Sequence, residues 1–266
     1  MQQRVEYDAF ADIYGIWVEA APVTERNLPF YVEEYLRTAG PVVELGIGNG
    51  RIAIEAARQG KPIIGVDYSA EMLKLCREQA EAAGVAHLLT LIQADFRDFV
   101  LPEPAQLIAI PFHTIGHLVT MDDKRAGLHH IYGQLAPGGR LVFDHFVFDP
   151  EAARRYQGVG LVGEYTDAAT GHDLLLWVTT LYDFEAQTIR IIAWTDELDD
   201  DGTVLCRKYR RLSFSWLDPQ QARALLEETG FQIEALHGGF DRSPFGDDSP
   251  EQIWVARRPN VKSEML

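Results

Sequence analysis

The chain has 266 residues, of which 47% are hydrophobic, and a formal net charge of −16. This length supports one large core without stabilising cross-links, and the negative charge excludes a nucleic-acid surface, which requires Lys and Arg. The two cysteines, Cys76 and Cys206, lack metal-site spacing, the N-terminus lacks a signal-peptide pattern, and no apolar run reaches membrane length. We therefore expect a cytoplasmic protein that makes no contact with a membrane.

The N-terminal segment predicts an aromatic helix. Tyr7, Phe10, Tyr14 and Trp17 fall on one face of a helix over residues 5–18. Such a stripe packs mainly on the core, but a buried phenol needs a partner, so Tyr14 is a candidate to point its hydroxyl group into a site. A second helix ends before the first strand, and residues 1–40 are predicted to form a helical cap.

A glycine-rich stretch after the first predicted strand is the strongest local signal. An acidic residue is followed by glycines at every second position, at Glu44, Gly46, Gly48 and Gly50. The pattern predicts a buried strand, a tight turn and a helix N-terminus that a ligand approaches closely. Arg51 replaces the third glycine of the dinucleotide fingerprint, and a carboxylate at Glu44 would repel a pyrophosphate. A ligand that carries a cation is therefore favoured over a nicotinamide cofactor.

Strands and helices then alternate over residues 41–149. The second strand ends at Asp67, where an acid can accept hydrogen bonds from both ribose hydroxyls, and Ser69 caps the next helix. Later strands are predicted over 88–93, 107–110 and 141–144, with Pro137-Gly138-Gly139 ending the helix before the last. The alternation predicts an α/β fold with a doubly wound, Rossmann-like parallel sheet. Ligands bind beyond the carboxyl ends of such strands, where four predicted positions fall: Glu44, Asp67, Asp95 and Pro111.

The sequence changes character over residues 150–216. Successive strand-like runs at Asp173–Asp183, Thr188–Leu198 and Val204–Trp216 predict an inserted antiparallel β flap, or lid. Its acidic turn at 199–202 is a polar Asp-Gly turn, so no metal site is expected. Residues 217–259 predict a helix that Asp218 caps and Gly230 ends, and two strands that complete the core. Residues 260–266 form a tail.

Four motifs together resemble the class I S-adenosylmethionine (SAM) methyltransferases. They are the glycine-rich motif, the Asp after the second strand, Ala94-Asp95-Phe96, and Leu135-Ala136-Pro137-Gly138-Gly139. The resemblance implies SAM as the cofactor, S-adenosylhomocysteine (SAH) as the product, and Asp95 and Phe96 beside the adenine. The cofactor-binding residues expected on this basis are Glu44, Gly46, Gly48, Gly50, Asp67, Tyr68, Met72, Asp95, Phe96, Pro111 and Phe112.

A narrower likeness concerns the methyl acceptor. Ala11-Asp12-Ile13-Tyr14 and Thr114-Ile115-Gly116-His117-Leu118 are similar to the sugar N,N-dimethyltransferases of macrolide biosynthesis. In that family the Tyr and His at these positions line the acceptor site, which implies catalytic roles for Tyr14 and His117. Histidine normally titrates near neutral pH, so His117 is a candidate to take or relay the proton of an amine; the alternatives are that it only positions the substrate, or is a structural histidine in the loop after the fourth strand. Thr114 and Gly116 disfavour a helix between His113 and His117, and hence a metal pair there.

These observations predict a SAM-dependent methyltransferase of a small-molecule acceptor, with nitrogen the favoured acceptor atom. O- or C-methylation and a non-catalytic SAM-binding protein remain alternatives. The flap has apolar residues on both faces, so we expect one face to roof the acceptor pocket and the other to form a homodimer with a second chain.

Overall fold

The computed structural model describes residues 6–19, 21, 23–155, 158–167 and 170–260. The predicted tail therefore lies outside the described residues except for Asn260. The α-helices are α1 (Tyr14–Glu19), α2 (Val23–Arg37), α3 (Arg51–Arg58), α4 (Ala70–Ala82), α5 (Met121–Gln134), α6 (Pro150–Arg155) and α7 (Pro219–Thr229). The strands are β1 (Val42–Leu45), β2 (Ile63–Asp67), β3 (Leu89–Gln93), β4 (Ala105–Ile110), β5 (Leu135–Phe146), β6 (Val159–Thr166), β7 (Asp173–Asp183), β8 (Thr188–Leu198), β9 (Val204–Ser215), β10 (Gln232–His237) and β11 (Glu251–Arg257). Short 3-10 helices occupy Glu6–Ala9, Ala86–Leu88 and Thr114–His117.

A seven-stranded sheet forms the centre of the fold, in the order β10-β11-β5-β4-β1-β2-β3. β1 pairs in parallel with both β2 and β4, β2 with β3, and β4 with β5, whereas β11 is antiparallel to its two neighbours. Every residue of β1 is buried, as expected for a central strand covered by helices on both faces. The predicted Rossmann-like α/β fold is thus confirmed, and the carboxyl ends of β1, β2 and β4 meet at one edge.

The caps that the sequence predicts position two of the helices. Ser69 accepts a hydrogen bond from the backbone N–H of Met72 at the start of α4, which fixes the chain just after Asp67. Asp218 and Gln221 form a capping box at α7, and Gly230 ends that helix in the left-handed conformation. None of the helices in the described ranges is long and apolar enough to cross a membrane.

The N-terminal segment is not the continuous helix predicted over residues 5–18. It forms the 3-10 helix Glu6–Ala9, a turn, and then α1. The carbonyl group of Ala9, which would accept the next helical hydrogen bond, accepts instead from Nε of Arg210 at 2.8 Å. Asp12 also accepts hydrogen bonds from Arg210. Contacts with the flap therefore override the local helical period.

β5 is longer than predicted, because the Pro-Gly-Gly motif lies inside the strand rather than between helix and strand. Ala105 pairs with Leu135, and the pairing resumes at Leu107 with Arg140. The shift in register accommodates the extra residues as a bulge, where Gly138 has a φ of 80°. The other core strands lie within two residues of their predicted ends.

The flap is a separate four-stranded antiparallel sheet, in the order β6-β7-β8-β9, rather than a sheet of the three predicted strands. β7 and β8 have their predicted bounds, and β9 ends at Ser215. The additional strand, β6, pairs with β7 and has a register shift between Leu161 and Gly163. β6 contains glycines and lies exposed at the edge of the sheet. Its sequence therefore lacks the alternation of apolar and polar residues that predicts a strand.

Candidate functional site

A cavity of about 640 Å³ opens at the carboxyl ends of the parallel strands, and we call it the first cavity. Ten of the predicted site residues line it: Tyr14, Gly46, Gly48, Asp67, Tyr68, Met72, Asp95, Phe96, Phe112 and His117. Its other lining residues are Glu6, Tyr7, Ser69, Arg97, Thr114, Leu118, Val119 and Ser213. Helix, turn and flap residues thus converge with the strand ends on one space.

The glycine-rich turn forms the floor of the first cavity. Gly46 and Gly48 have φ values of 68° and 57°, which other residues rarely adopt. A Cβ atom at Gly48 would lie 3.1 Å from Oη of Tyr14, and one at Gly46 would overlap the side chain of Thr114. Glycine at these two positions lets the side chains of Tyr14 and Thr114 pack against the turn while the turn lines the first cavity. It also brings the Tyr14 hydroxyl directly over the turn.

Asp67 stands at the end of β2 with its carboxylate in the cavity wall. Its Oδ2 accepts from the backbone N–H of Gly48 at 2.9 Å, and its Oδ1 from that of Ser69 at 2.9 Å. Burial raises the pKa of Asp67, and these backbone hydrogen bonds oppose the shift. The two backbone hydrogen bonds hold the carboxylate of Asp67 in place. Each of its oxygens can accept one more hydrogen bond, so Asp67 is still able to bind a ligand.

Glu44, Gly50 and Pro111 are predicted site residues that do not line the first cavity. Glu44 is buried under the turn, where its Oε2 accepts from the hydroxyl of Tyr35 at 2.9 Å. Burial raises the pKa of Glu44 to about 8, so its carboxyl group is mostly protonated at neutral pH. This position places a neutral acid beneath the glycine turn rather than a charged group facing the ligand.

Arg51 stands where the dinucleotide fingerprint has its third glycine, and its guanidinium group binds a neighbouring helix. It donates to the backbone carbonyl of Thr24 and to Oδ1 of Asn27, each at 2.8 Å. Both acceptors belong to α2. Arg51 therefore joins the start of α3 to α2.

On the β3 side of the first cavity, Asp95 is bound to Arg97. The carboxylate accepts from Nε of Arg97 at 2.8 Å and from Nη2 at 2.7 Å, and Arg97 also binds Asp123. These hydrogen bonds hold the pKa of Asp95 below its usual range. Phe96, next in sequence, presents a mostly buried ring to the same wall.

The N-terminal segment closes the first cavity by joining the flap to the core. Glu6 accepts from the backbone N–H and the hydroxyl of Ser213 at 2.7 and 2.8 Å, which ties the segment to β9. Asp8 accepts from the hydroxyl of Ser69 at 2.6 Å, which ties it to the start of α4. Both contacts join residues far apart in sequence, and no local pattern predicts them.

Between these contacts, Tyr7 meets His117. The Tyr7 hydroxyl lies 2.9 Å from Nε2 of His117, and the rings pack edge to face. Burial lowers the pKa of His117 to about 4, a hydrogen bond to the Ser213 backbone opposes the shift, and the charge of Lys124 adds to it. A pKa of about 4 keeps His117 neutral at physiological pH, which favours a positioning role over that of a base.

A buried lysine holds the segment that carries His117. Lys124 is 1% exposed, and its Nζ donates to the carbonyl of Leu118 and to Oγ of Ser215, the latter at 2.5 Å. The same hydroxyl donates to the carbonyl of Gly116 at 3.0 Å. The segment forms the 3-10 helix Thr114–His117, contrary to the expectation of no helix there. Lys124 thereby fixes it against the end of β9.

A second cavity, of about 510 Å³, adjoins the first and shares Tyr7, Phe112 and His117 with it. Its remaining lining residues are Trp17, Ala21, Val23, His113, Phe146, Phe148, Asp149, Ala152, Ala153, Thr180, Tyr182, Ile189, Ile191, Leu212 and Phe214. Residues from β7, β8 and β9 form one wall, so the flap covers this cavity. Tyr14, by contrast, lines only the first cavity.

His113, Asp144 and Glu251 form a buried cluster at the wall of the second cavity, with ligand atoms within 4.8 Å of one another. His113 Nε2 lies 2.8 Å from Glu251 and 3.5 Å from Asp144. Burial lowers the pKa of His113, but the hydrogen bond with Glu251 and the charge of Asp144 raise it overall. Arg26 also lies 3.9 Å from Glu251, so this carboxylate has a cationic partner within the chain.

Comparison with known proteins identifies the family. Residues 42–139 match the family described as "Methyltransferase domain". An uncharacterized methyltransferase of Geobacillus kaustophilus is 31% identical over 163 residues, which are 55% of this chain and 71% of that protein. This chain belongs to the methyltransferase family.

In two further comparisons, this methyltransferase either covers a smaller share of the other protein or has a lower sequence identity with it. A carboxy-S-adenosyl-L-methionine synthase of Aliivibrio salmonicida is 33% identical over 140 residues, which are 47% of this chain and 57% of the synthase. The chain thus spans little more than half of that relative. The CcbJ methyltransferase of Streptomyces caelestis shares the fold with a TM-score of 0.78 at 24% identity, over 96% of this chain and 98% of CcbJ. The predicted resemblance to SAM-dependent methyltransferases is confirmed at the level of family and fold.

Proposed function

We propose that this methyltransferase transfers a methyl group from SAM to an amine nitrogen of a small-molecule acceptor. The observation that carries the proposal is the hydrogen-bonded pair of Tyr7 and His117, which lies where the two cavities adjoin. A cofactor in the first cavity and an acceptor in the second would meet at this pair.

The residues of the first cavity fit SAM. The side-chain-free backbone at Gly46 and Gly48 leaves room for close approach, and the carboxylate of Asp67 is suited to ribose hydroxyls. We assign Asp95 and Phe96 to the adenine side, and Tyr68, Met72 and Phe112 to the remaining cofactor contacts. Glu44 and Gly50 would act from beneath the turn, and Pro111 would shape the loop after β4.

When bound, SAM supplies an electrophilic methyl group on a sulfonium centre. The protein's contribution is then placement of the acceptor and exclusion of water, which in well-oriented systems lower a barrier by up to about 7–11 kcal/mol. Contacts of Glu6 with Ser213 and of Asp8 with Ser69 hold the N-terminal segment across the site. In this proposal the segment shields the reaction site from bulk water.

The Tyr7–His117 pair suits a neutral amine. If Nδ1 of His117 donates to the Ser213 backbone, Nε2 accepts the hydroxyl proton of Tyr7, and the phenol oxygen is left to accept an N–H from the substrate. Burial, reinforced by Tyr14 and Asp67, raises the pKa of Tyr7, so this phenol stays protonated. Neutral His117 adds no positive charge beside the sulfonium. Its role in this proposal is to orient the amine through Tyr7.

Tyr14 has a different place in the proposal. Its hydroxyl lies over Gly48, and Tyr14 lines the first cavity but not the second. We therefore assign Tyr14 to the cofactor side of the reaction site. The motif around it still supports the likeness to sugar N,N-dimethyltransferases, and with it nitrogen as the acceptor atom rather than oxygen or carbon.

Calorimetric titration with SAH, SAM and NAD⁺ tests the cofactor assignment. We expect binding of SAH and SAM without binding of NAD⁺. Asp67→Ala should lose about 1.5–3 kcal/mol of SAH affinity, the scale of hydrogen bonds to a charged group, and Gly48→Val should abolish binding with its helical content intact. The exposed Tyr209→Phe variant is the control. NAD⁺ binding in place of SAH would support an oxidoreductase, and SAH binding without turnover on any acceptor would support a non-catalytic SAM-binding protein.

We further propose that the outer face of the flap forms a homodimer. An aromatic row crosses this face, with Trp177 paired to Trp194 and Trp194 to Tyr209 in register. Tyr209 and Leu161, which extend the row to both edges, are 57% and 51% exposed. A patch of this kind on a two-sided sheet suits a self-complementary two-fold contact. Sedimentation should give a dimer at micromolar concentration that Tyr209→Asp converts to a monomer; a wild-type monomer would refute it.

We also place the protein in the cytoplasm. The two cysteines, Cys76 and Cys206, are both free thiols. Free thiols are typical of a reducing compartment. Fractionation of the source cells tests this location, and recovery outside the cytoplasm would contradict it.

A further inference from the structure

The lining of the second cavity carries information about the acceptor. This inference rests on the proposed function, because it takes the second cavity as the acceptor site. The cavity adjoins the Tyr7–His117 pair directly, so whatever group fills it is attached to the reacting amine. The chemistry of its walls therefore selects the body of the substrate.

Aromatic and aliphatic side chains form most of the second cavity. Phe148 stacks on Trp216 with ring centroids 3.8 Å apart and an interplanar angle of 9°, which fixes its orientation. Phe146 and Phe214 are also stacked, at 6.0 Å. Rigid, apolar surfaces of this kind bind the apolar part of a ligand because binding removes it from water. They offer the hydroxyl groups of a sugar few hydrogen-bond partners.

Charge in the second cavity disfavours an anionic acceptor. Among the described residues that line it, none is Lys or Arg. His113 is paired with Glu251 at 2.8 Å. Asp149 caps α6 by accepting from the backbone N–H groups of residues 151 and 152, and these hydrogen bonds lower its pKa, so it is ionised. A phosphate or diphosphate would thus meet a carboxylate and no free cation.

We propose that the second cavity takes a phosphate-free amine with an aromatic or aliphatic body, and not an amino sugar linked to a nucleoside diphosphate. The amine lies at Tyr7, and the apolar body fills the space under the flap. The net reaction moves one methyl group from the sulfonium of SAM to the amine nitrogen, which gives SAH, the methylated amine and one proton.

Binding to the SAH-saturated protein tests the proposal with two probes, 4-phenylbutylamine and UDP-glucosamine. We expect 4-phenylbutylamine to bind with little dependence on salt, and UDP-glucosamine not to bind. The Tyr182→Arg variant places a cation in the lining, so it should weaken 4-phenylbutylamine about tenfold or more, on the scale of a lost apolar contact. Val100→Arg, at a position that is 73% exposed, lies outside the flap and lines neither cavity, is the control and should change neither probe.

The outcomes separate this inference from the proposed function. SAH binding is measured first, and its absence would overturn the proposed function itself. If SAH binds but UDP-glucosamine is the probe that binds or is methylated, the acceptor class is wrong while the methyltransferase function stands. Failure of both probes to bind the SAH-loaded protein, or an equal effect of the two Arg variants, would also overturn the acceptor class.

Discussion

The hydroxyl group of Tyr7 lies 2.9 Å from Nε2 of His117, and the two residues are 110 positions apart in the sequence. Tyr7 reaches this point because Glu6 and Asp8, on either side of it, bind the flap and the start of α4. The N-terminal segment and the loop after β4 thus meet at this hydrogen bond, next to the contact of Glu6 with the flap. Our account gives this pair the placement of the acceptor.

The first prediction concerns turnover. Tyr7→Phe removes the oxygen that would accept the amine N–H, and His117→Asn removes the ring nitrogen that orients it. Each should lower kcat by about 100-fold, the scale of a misplacement of the acceptor by about 1 Å, with the Kd for SAH changed less than about threefold. The double variant should be no worse than the poorer single variant, because the two residues act as a unit.

Tyr209→Phe is the matched control for these variants, since it removes a phenol oxygen from the exposed face of the flap. Full activity of Tyr7→Phe would return Tyr7 to a purely structural role. Additive losses in the double variant would show that the two residues act separately.

The second prediction concerns the protonation of His117. Its NMR titration midpoint should lie at about pH 4. Lys124→Met removes a buried positive charge and should move the midpoint upward, without reaching the ordinary value near 6.5, because burial is the larger cause. Between about pH 4 and 6.5, His117 is protonated in the unfolded chain and neutral in the folded protein. Its contribution to the free energy of unfolding therefore falls as the pH falls. A wild-type midpoint near 6.5 would restore His117 as a candidate base.

The third prediction concerns Glu44. Burial raises its pKa from 4.5 to about 8 in the folded chain. Between these values the unfolded state is ionised and the folded state holds the proton, so stability falls as the pH rises. Glu44→Gln keeps an oxygen that can accept a hydrogen bond from Tyr35, and its amide group cannot ionise. The melting temperature of this variant relative to wild type should therefore rise from about pH 5 to about pH 8, and a difference independent of pH would refute the buried, protonated carboxyl.

The parallel sheet and the glycine turn could be predicted from sequence because their signals are local. Three apolar residues and one acid in β1, followed by alternating glycines, specify a buried strand and a turn with positive φ, whatever surrounds them. Asp67 follows from its strand end in the same way. Ser69 and Asp218 predicted their helix starts because a cap is also a local hydrogen bond.

The acceptor side of the site could not be predicted in this way, because it consists of contacts between distant segments. Nothing local in Glu6 or Ser213 indicates that they bind each other. Tyr7 had a signal, its place in the aromatic stripe, but the stripe implied a helix that Arg210 interrupts by binding Ala9. The protonation of His117 and Glu44 depends on burial, which a sequence does not contain.

Transfer of labelled methyl from SAM is the most direct test of the central claim. Purified protein is incubated with SAM labelled on the methyl group and a panel of phenylalkyl amines, with the corresponding phenylalkyl alcohols as the matched oxygen acceptors. The account predicts label on the amine nitrogen, an equal amount of SAH, and loss of both in Tyr7→Phe. Label on the alcohols alone, or no SAH above the level without protein while SAH itself still binds, would contradict it.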